Sequence, residues 1–133
     1  MLTPETQPKW GKMNSGQMLA HCNVTYEMVY EPDRHPKPGL LMKIVLKSFI
    51  KGVVTGEAAY KHNSRTAPAF LISDNRNFEA ERTKLINNIN KTQQNGEQFF
   101  DNKESNSFGP LNKTEWNNLF YKHLDHHLSQ FGV

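Results

Sequence analysis

The stretch NKTEWNNLFYKHLDHHLSQFG, residues 112–132, decides how the chain folds. Asn112 followed by Glu115 is a capping box, in which each side chain satisfies a backbone N–H that the start of a helix leaves free. The helix so begun is expected to end at Gly132. Between the two, Trp116, Phe120, His123 and His127 recur at three- and four-residue steps. They share one helical face, apolar in its first half and imidazole in its second. Each residue of an α-helix turns ~100°, so His123 and His127 differ by ~40° and can reach a common point. His126 lies ~60° from His123 the other way and ~100° from His127, which makes it a bystander. Inward imidazoles need polar partners, because a buried polar group without one is costly. The pair is therefore a usable half of a metal site or a pair of hydrogen-bonded core residues.

A second helix with the same kind of start lies near the beginning of the chain. Asn14 with Gln17 repeats the capping box, and Met18, Cys22, Thr25, Tyr26 and Val29 then fall on one face. Pro32 ends it, and Pro36, Pro38 and Gly39 keep the next stretch open. His21 stands beside that apolar stripe. If the first and last helices pack together, His21 faces His123 and His127, and three imidazoles leave a position free for water or substrate. Cys22 reads as a small core residue, since free cysteine is among the most buried types.

Two more helices and two connections complete an all-α reading. Leu40–Lys51 is apolar on most sides, with Lys43, Lys47 and Lys51 in one line, and is expected to be buried with a solvated lysine stripe. Residues 53–72 have no clear period and read as a long loop carrying His62 and Arg65, which could hold an anionic group or simply be solvated. A third helix is expected from Asp74 to Asn95, with Phe78, Leu85, Ile86 and Ile89 as its stripe and Asn95-Gly96 as its stop. The polar segment 97–110 reads as a surface loop.

Bulk properties narrow the function classes. The 133 residues fit one domain spanning 1–133. With 36% hydrophobic and 22% charged residues the composition is that of a soluble globular protein, and no apolar run approaches the ~20 residues needed to cross a bilayer. The N-terminus lacks the apolar core of a signal peptide, so a cytoplasmic location is expected. One cysteine excludes an internal disulfide and cysteine-built zinc knuckles. A net charge of +3 is mild, and the lysines do not cluster with aromatics, so nucleic acid and membrane are not expected partners. His123-Leu124-Asp125-His126-His127 lacks the glutamate of a metalloprotease H-E-x-x-H, and Asp125 reads as solvated.

With these residues placed, the sequence resembles the DinB-like superfamily, and more closely a branch known only as a domain of unknown function. The resemblance is carried by WGKMNSGQMLAHC (10–22), NSRTAPAFLI (63–72) and FGPLNKTEWNNLFYKHLDHHLSQFGV (108–133), and covers most of the chain. It implies an up-down four-helix bundle with a three-histidine site, the ligands being His21, His123 and His127. Similar proteins include enzymes that use low-molecular-weight thiols, with a metal that binds and activates the thiol. Relatives usually carry another helix before LTPETQPKWGKM. Here thirteen residues precede Asn14, so that helix is missing or shortened, or its place is filled by Leu40–Lys51 or by a second subunit in a homodimer.

The expected function is a metal-dependent enzyme acting on a small-molecule substrate, a thiol-dependent S-transferase or a hydrolase. Its cofactor is a divalent ion (Zn, Ni or Fe), with a low-molecular-weight thiol as cosubstrate. Gln17, Thr25 and Tyr121 are candidates to line or support the site. The alternative is a non-catalytic binding or structural protein with the same metal centre.

Overall fold

We describe residues 1–133 from a computed structural model. Both capping boxes form. Asn14 Oδ1 accepts from the Gln17 N–H at 2.9 Å and Gln17 Oε1 accepts from the Asn14 N–H at 3.0 Å, starting α1, Ser15–Tyr30. Asn112 and Glu115 pair in the same way at 2.9 and 3.0 Å and start α4, Lys113–Phe131, which Gly132 ends in the left-handed conformation. Between them lie α2, described below, and α3, Phe78–Phe100. The helices form a bundle in which α3 and α4 pack on α1, and α2 joins through its C-terminal end on α4.

α1 is buried on nearly every side from Ser15 to Glu27, although its apolar stripe covers only one face. On that face Met18, Cys22 and Tyr26 meet Phe100, Trp116 and Phe120, and Tyr26 stacks on Phe120 with ring centroids 5.0 Å apart. The opposite face is polar and fully partnered. Asn23 Nδ2 donates to the Glu81 carbonyl at 3.0 Å and to its carboxylate at 2.9 Å, while Oδ1 accepts from Asn88 at 3.1 Å. Glu27 takes Lys84 at 2.5 Å, His35 at 2.6 Å and Arg34 at 3.3 Å. Pairing every polar group is what lets a half-polar helix sit in the centre of the bundle.

Three boundaries differ from the sequence expectation. α3 begins after Asn77, whose side chain caps Ala80 N–H, rather than at Asp74. Asp74 instead pairs with Arg76 at 3.1 Å, and its carbonyl accepts from Gln17 Nε2 at 3.3 Å. Gly96 breaks α3 as expected, with φ of 70°, but a further helical turn follows and buries Phe100. The expected surface loop 97–110 therefore includes core contacts. It also contains an antiparallel hairpin, β1 Lys103–Ser105 and β2 Gly109–Leu111, which places Leu111 at 0% exposure.

The largest correction concerns α2. It runs as an α-helical segment Leu40–Val45, a π turn Leu46–Ile50 and a second α-helical segment Lys51–Thr55. Buried residues are absent from Leu40 to Ile50, so the expected buried helix is reversed, with its apolar side chains facing out. The cause is how the helix is fastened. Lys51 pairs with Glu115 at 2.9 Å, Asn118 Nδ2 donates to the Thr55 carbonyl at 3.0 Å, and Lys122 Nζ donates to the Val53 and Gly56 carbonyls at 2.7 and 2.6 Å. These are the carbonyls that a helix end leaves free, and a cation there also suits the helix dipole. Glu115, Asn118 and Lys122 form one polar row of α4 that holds the C-terminal end of α2 and leaves its N-terminal half splayed. After α2, which continues to Thr55 into the expected loop, the chain makes a 3-10 turn at Pro68–Phe70. No helix is long and apolar enough to cross a membrane.

Candidate metal centre

α1, α4 and the 3-10 turn converge on three imidazoles. His21, from the centre of α1, places Nδ1 2.8 Å from the Phe70 carbonyl. A carbonyl only accepts, so Nδ1 carries the proton and Nε2 is a bare lone pair. That Nε2 lies 3.0 Å from His123 Nε2, and His123 Nδ1 lies 2.9 Å from Thr25 Oγ1. His127, one turn along α4, has Nδ1 2.9 Å from Gln130 Oε1. Gln130 Nε2 donates to the Trp10 carbonyl at 2.6 Å. That bond fixes which way the amide points, so His127 Nδ1 donates and its Nε2 is free for a ligand. One ring nitrogen from each histidine falls within 4.8 Å of the other two.

The electrostatics keep this cluster neutral. Burial lowers the His21 pKa against the opposing Phe70 hydrogen bond, and the charge of His126 lowers it further. Burial also holds His123 well below the usual histidine range, reinforced by His21, His127 and His126. His127 is pushed down to about 4 by burial and by His21, with the Gln130 bond opposing. His21 and His127, neutral with the N–H committed at Nδ1, offer Nε2 as a ligand atom, and His123 does so once its proton moves from Nε2 to Nδ1.

A tetrahedral ion at the ~2.0 Å zinc–nitrogen distance spaces its ligands at about 3.3 Å, between the shortest and the widest separations seen here. Three histidines leave a fourth position open, the mark of a catalytic rather than a structural zinc site. The donor set thus fits a divalent ion of the imidazole-preferring kind.

Other candidates fall elsewhere. Thr25 supports His123 as expected. Gln17 does not reach the site, because its amide is spent on the α1 cap and on the Asp74 carbonyl. Tyr121 is exposed and belongs to a cavity of about 200 Å³ with Trp10, Tyr60, His62 and Asp125. His126 is directed into that cavity, its ring edge-on to Trp10, Tyr60 and His62, while its centroid stays 5.0 Å from that of His127. His62 stacks on Trp10 at 3.8 Å, and Arg65 is exposed. Cys22 is 1% exposed and burial raises its thiol to about 12, so it is a core residue and no thiolate. Asp125 is exposed.

Sequence reasoning missed Gln130, the Trp10 carbonyl and the Phe70 carbonyl. Gln130 was detectable, since it stands three residues after His127 on the same helix face. The two carbonyls come from the backbone and leave no residue-type signal.

A family model described as a protein of unknown function (DUF1569) matches residues 1–132. The chain belongs to the DUF1569 family. No curated protein and no solved structure matches it. The segments that shape the DUF1569 site here are the ones containing Trp10, Phe70 and Gln130, far apart in sequence and joined only by the fold.

Proposed function

We propose that this DUF1569 protein is a metal-dependent enzyme of the DinB-like superfamily, with His21, His123 and His127 as the ligands of one divalent ion. The observation that carries the reading is the division of labour within each ring. Every Nδ1 is occupied by a partner from the protein, and the remaining nitrogens turn toward one another. Outer-shell partners of this kind orient ligands and set their tautomer. A bound ion supplies an acidified water or thiol near neutral pH. The chain's own part is to hold three neutral imidazoles in a buried, water-poor setting.

The reaction class that fits is transfer to a low-molecular-weight thiol or hydrolysis. The test is turnover of an electrophilic substrate with a small thiol by metal-loaded protein. Activity that disappears in His127→Ala while the circular dichroism spectrum is unchanged supports the enzyme. A non-catalytic metal centre is the second reading, and one observation favours it. The partners of the triad are a backbone carbonyl, a hydroxyl and an amide, none of them an acid or base at neutral pH. Metal that raises the melting temperature without turnover of any thiol or ester tested supports this second reading.

A further inference from the structure

The outward face of α2 is a larger apolar surface than a monomer ordinarily exposes. Leu40, Leu41 and Phe49 are 80%, 78% and 75% exposed, and Met42, Ile44 and Val53 are each more than half exposed. Together with Val45 and Ile50 they present on the order of 800 Å², against roughly 300–600 Å² for the largest patch of a typical monomer. The same figure is about what each partner contributes to a stable interface of standard size.

We infer that this face is the contact between two copies of the chain, paired through α2 about a twofold axis. The sequence makes the surface self-complementary, as an isologous contact requires. Leu41, Val45, Phe49 and Val53 form a row at four-residue steps. Antiparallel pairing sets Leu41 against the partner's Val53 and Val45 against the partner's Phe49. Lys51 does not interfere. It is turned toward Glu115 of its own chain, and Phe49 and Val53 lie ~160° from it around the helix. The alternative occupant is a lipid surface, which buries one side of an amphipathic helix. Leu40, Leu41, Met42 and Ile44 are exposed over an arc of ~200°, wider than the one side that a flat lipid surface covers. The pairing does not depend on any metal. α4 carries both the row that clamps α2 and the His123–His127 pair.

Analytical ultracentrifugation of the whole chain tests this. The wild type is expected to sediment as a dimer, and Leu41→Lys and Phe49→Glu as monomers. Both residues are exposed, so the melting temperature of the bundle should change little beyond the loss of concentration dependence. A second measurement is independent of those variants. An equimolar mixture of Val45→Cys and Phe49→Cys chains should form a disulfide-linked dimer on mild oxidation, whereas buried Cys22 in the wild type should not. A wild type that stays monomeric at the highest concentration reached overturns the inference. If that monomer also floats with vesicles containing anionic lipid, the face belongs to a membrane surface instead.

Discussion

His127 donates its Nδ1–H to Gln130 Oε1 at 2.9 Å because Gln130 is itself held by the Trp10 carbonyl at 2.6 Å. A backbone group at the start of the chain thereby sets the tautomer of a histidine near its end. Removing the amide in Gln130→Ala frees the His127 ring and is expected to weaken metal binding by about 10- to 100-fold, the usual effect of losing an outer-shell partner. Gln130→Glu keeps an acceptor for Nδ1–H but turns an oxygen on the Trp10 carbonyl. It should bind metal better than the alanine variant while melting lower than the wild type. Titration calorimetry and thermal melts separate the two effects.

Thr25 and His123 make a related prediction. His21 Nε2 has no proton, so the 3.0 Å approach of His123 Nε2 requires that His123 donate there and accept from the Thr25 hydroxyl at Nδ1. With a cation in the site, His123 must carry its proton on Nδ1 instead, and the hydroxyl reverses its role. Nitrogen-15 NMR of His123 should show Nε2–H in metal-free protein and Nδ1–H after addition of zinc. Thr25→Val, which can play neither role, should weaken zinc binding about tenfold or more, and Thr25→Ser should restore it.

Metal-free protein should lose stability between neutral and mildly acidic pH. His127 titrates at about 4 when folded and near 6.5 when unfolded. Between those values the unfolded chain binds more protons, so unfolding becomes easier as pH falls. From pH 7 to pH 5 this one residue accounts for roughly 2 kcal/mol, with His21 and His123 adding in the same direction. Urea midpoints at the two pH values check it, and His127→Gln should flatten the dependence. Below that window Glu27 adds a further loss. Burial pushes its carboxyl up, but hydrogen bonds from Lys84 and His35 and the charges of Lys84 and Arg34 bring it below the usual range. Its contribution disappears as pH falls through that lowered value.

Lys122 offers a test that does not touch the metal. Its ammonium is buried against the Val53 and Gly56 carbonyls, and burial lowers its pKa. Lys122→Met leaves both carbonyls without a donor and should cost about 2 kcal/mol in chemical denaturation. The variant should also loosen α2 enough to raise hydrogen exchange in Gly52–Gly56 above that in α1.

How far the sequence revealed all this depended on where the determining interactions lie. α1 and α4 were legible because their starts are encoded in residue pairs, Asn14–Gln17 and Asn112–Glu115, that cap locally. The geometric pairing of His123 with His127, and the exclusion of His126, followed from helical rotation alone. Placing His21 opposite them needed only the assumption that α1 packs on α4. The orientation of α2 was not legible. Its pattern of apolar residues and lysines describes a buried helix with one wet stripe, while the clamp that turns it outward comes from Glu115, Asn118 and Lys122, more than sixty residues away. The hairpin was hidden in a polar stretch, and its one fully buried apolar residue, Leu111, lies just past the end of that stretch. The carbonyls of Trp10 and Phe70 act as backbone, which side-chain identity does not report.

The central claim is that His21, His123 and His127 bind one divalent ion together. The most direct measurement is elemental analysis of untagged protein after incubation with zinc, nickel and iron(II) and removal of the excess, beside the three single alanine variants. The account predicts about one equivalent of metal in the wild type, and near-complete loss in each variant. A wild type that retains no metal under any of these conditions contradicts it, as does a full equivalent retained after any one of the three histidines is removed.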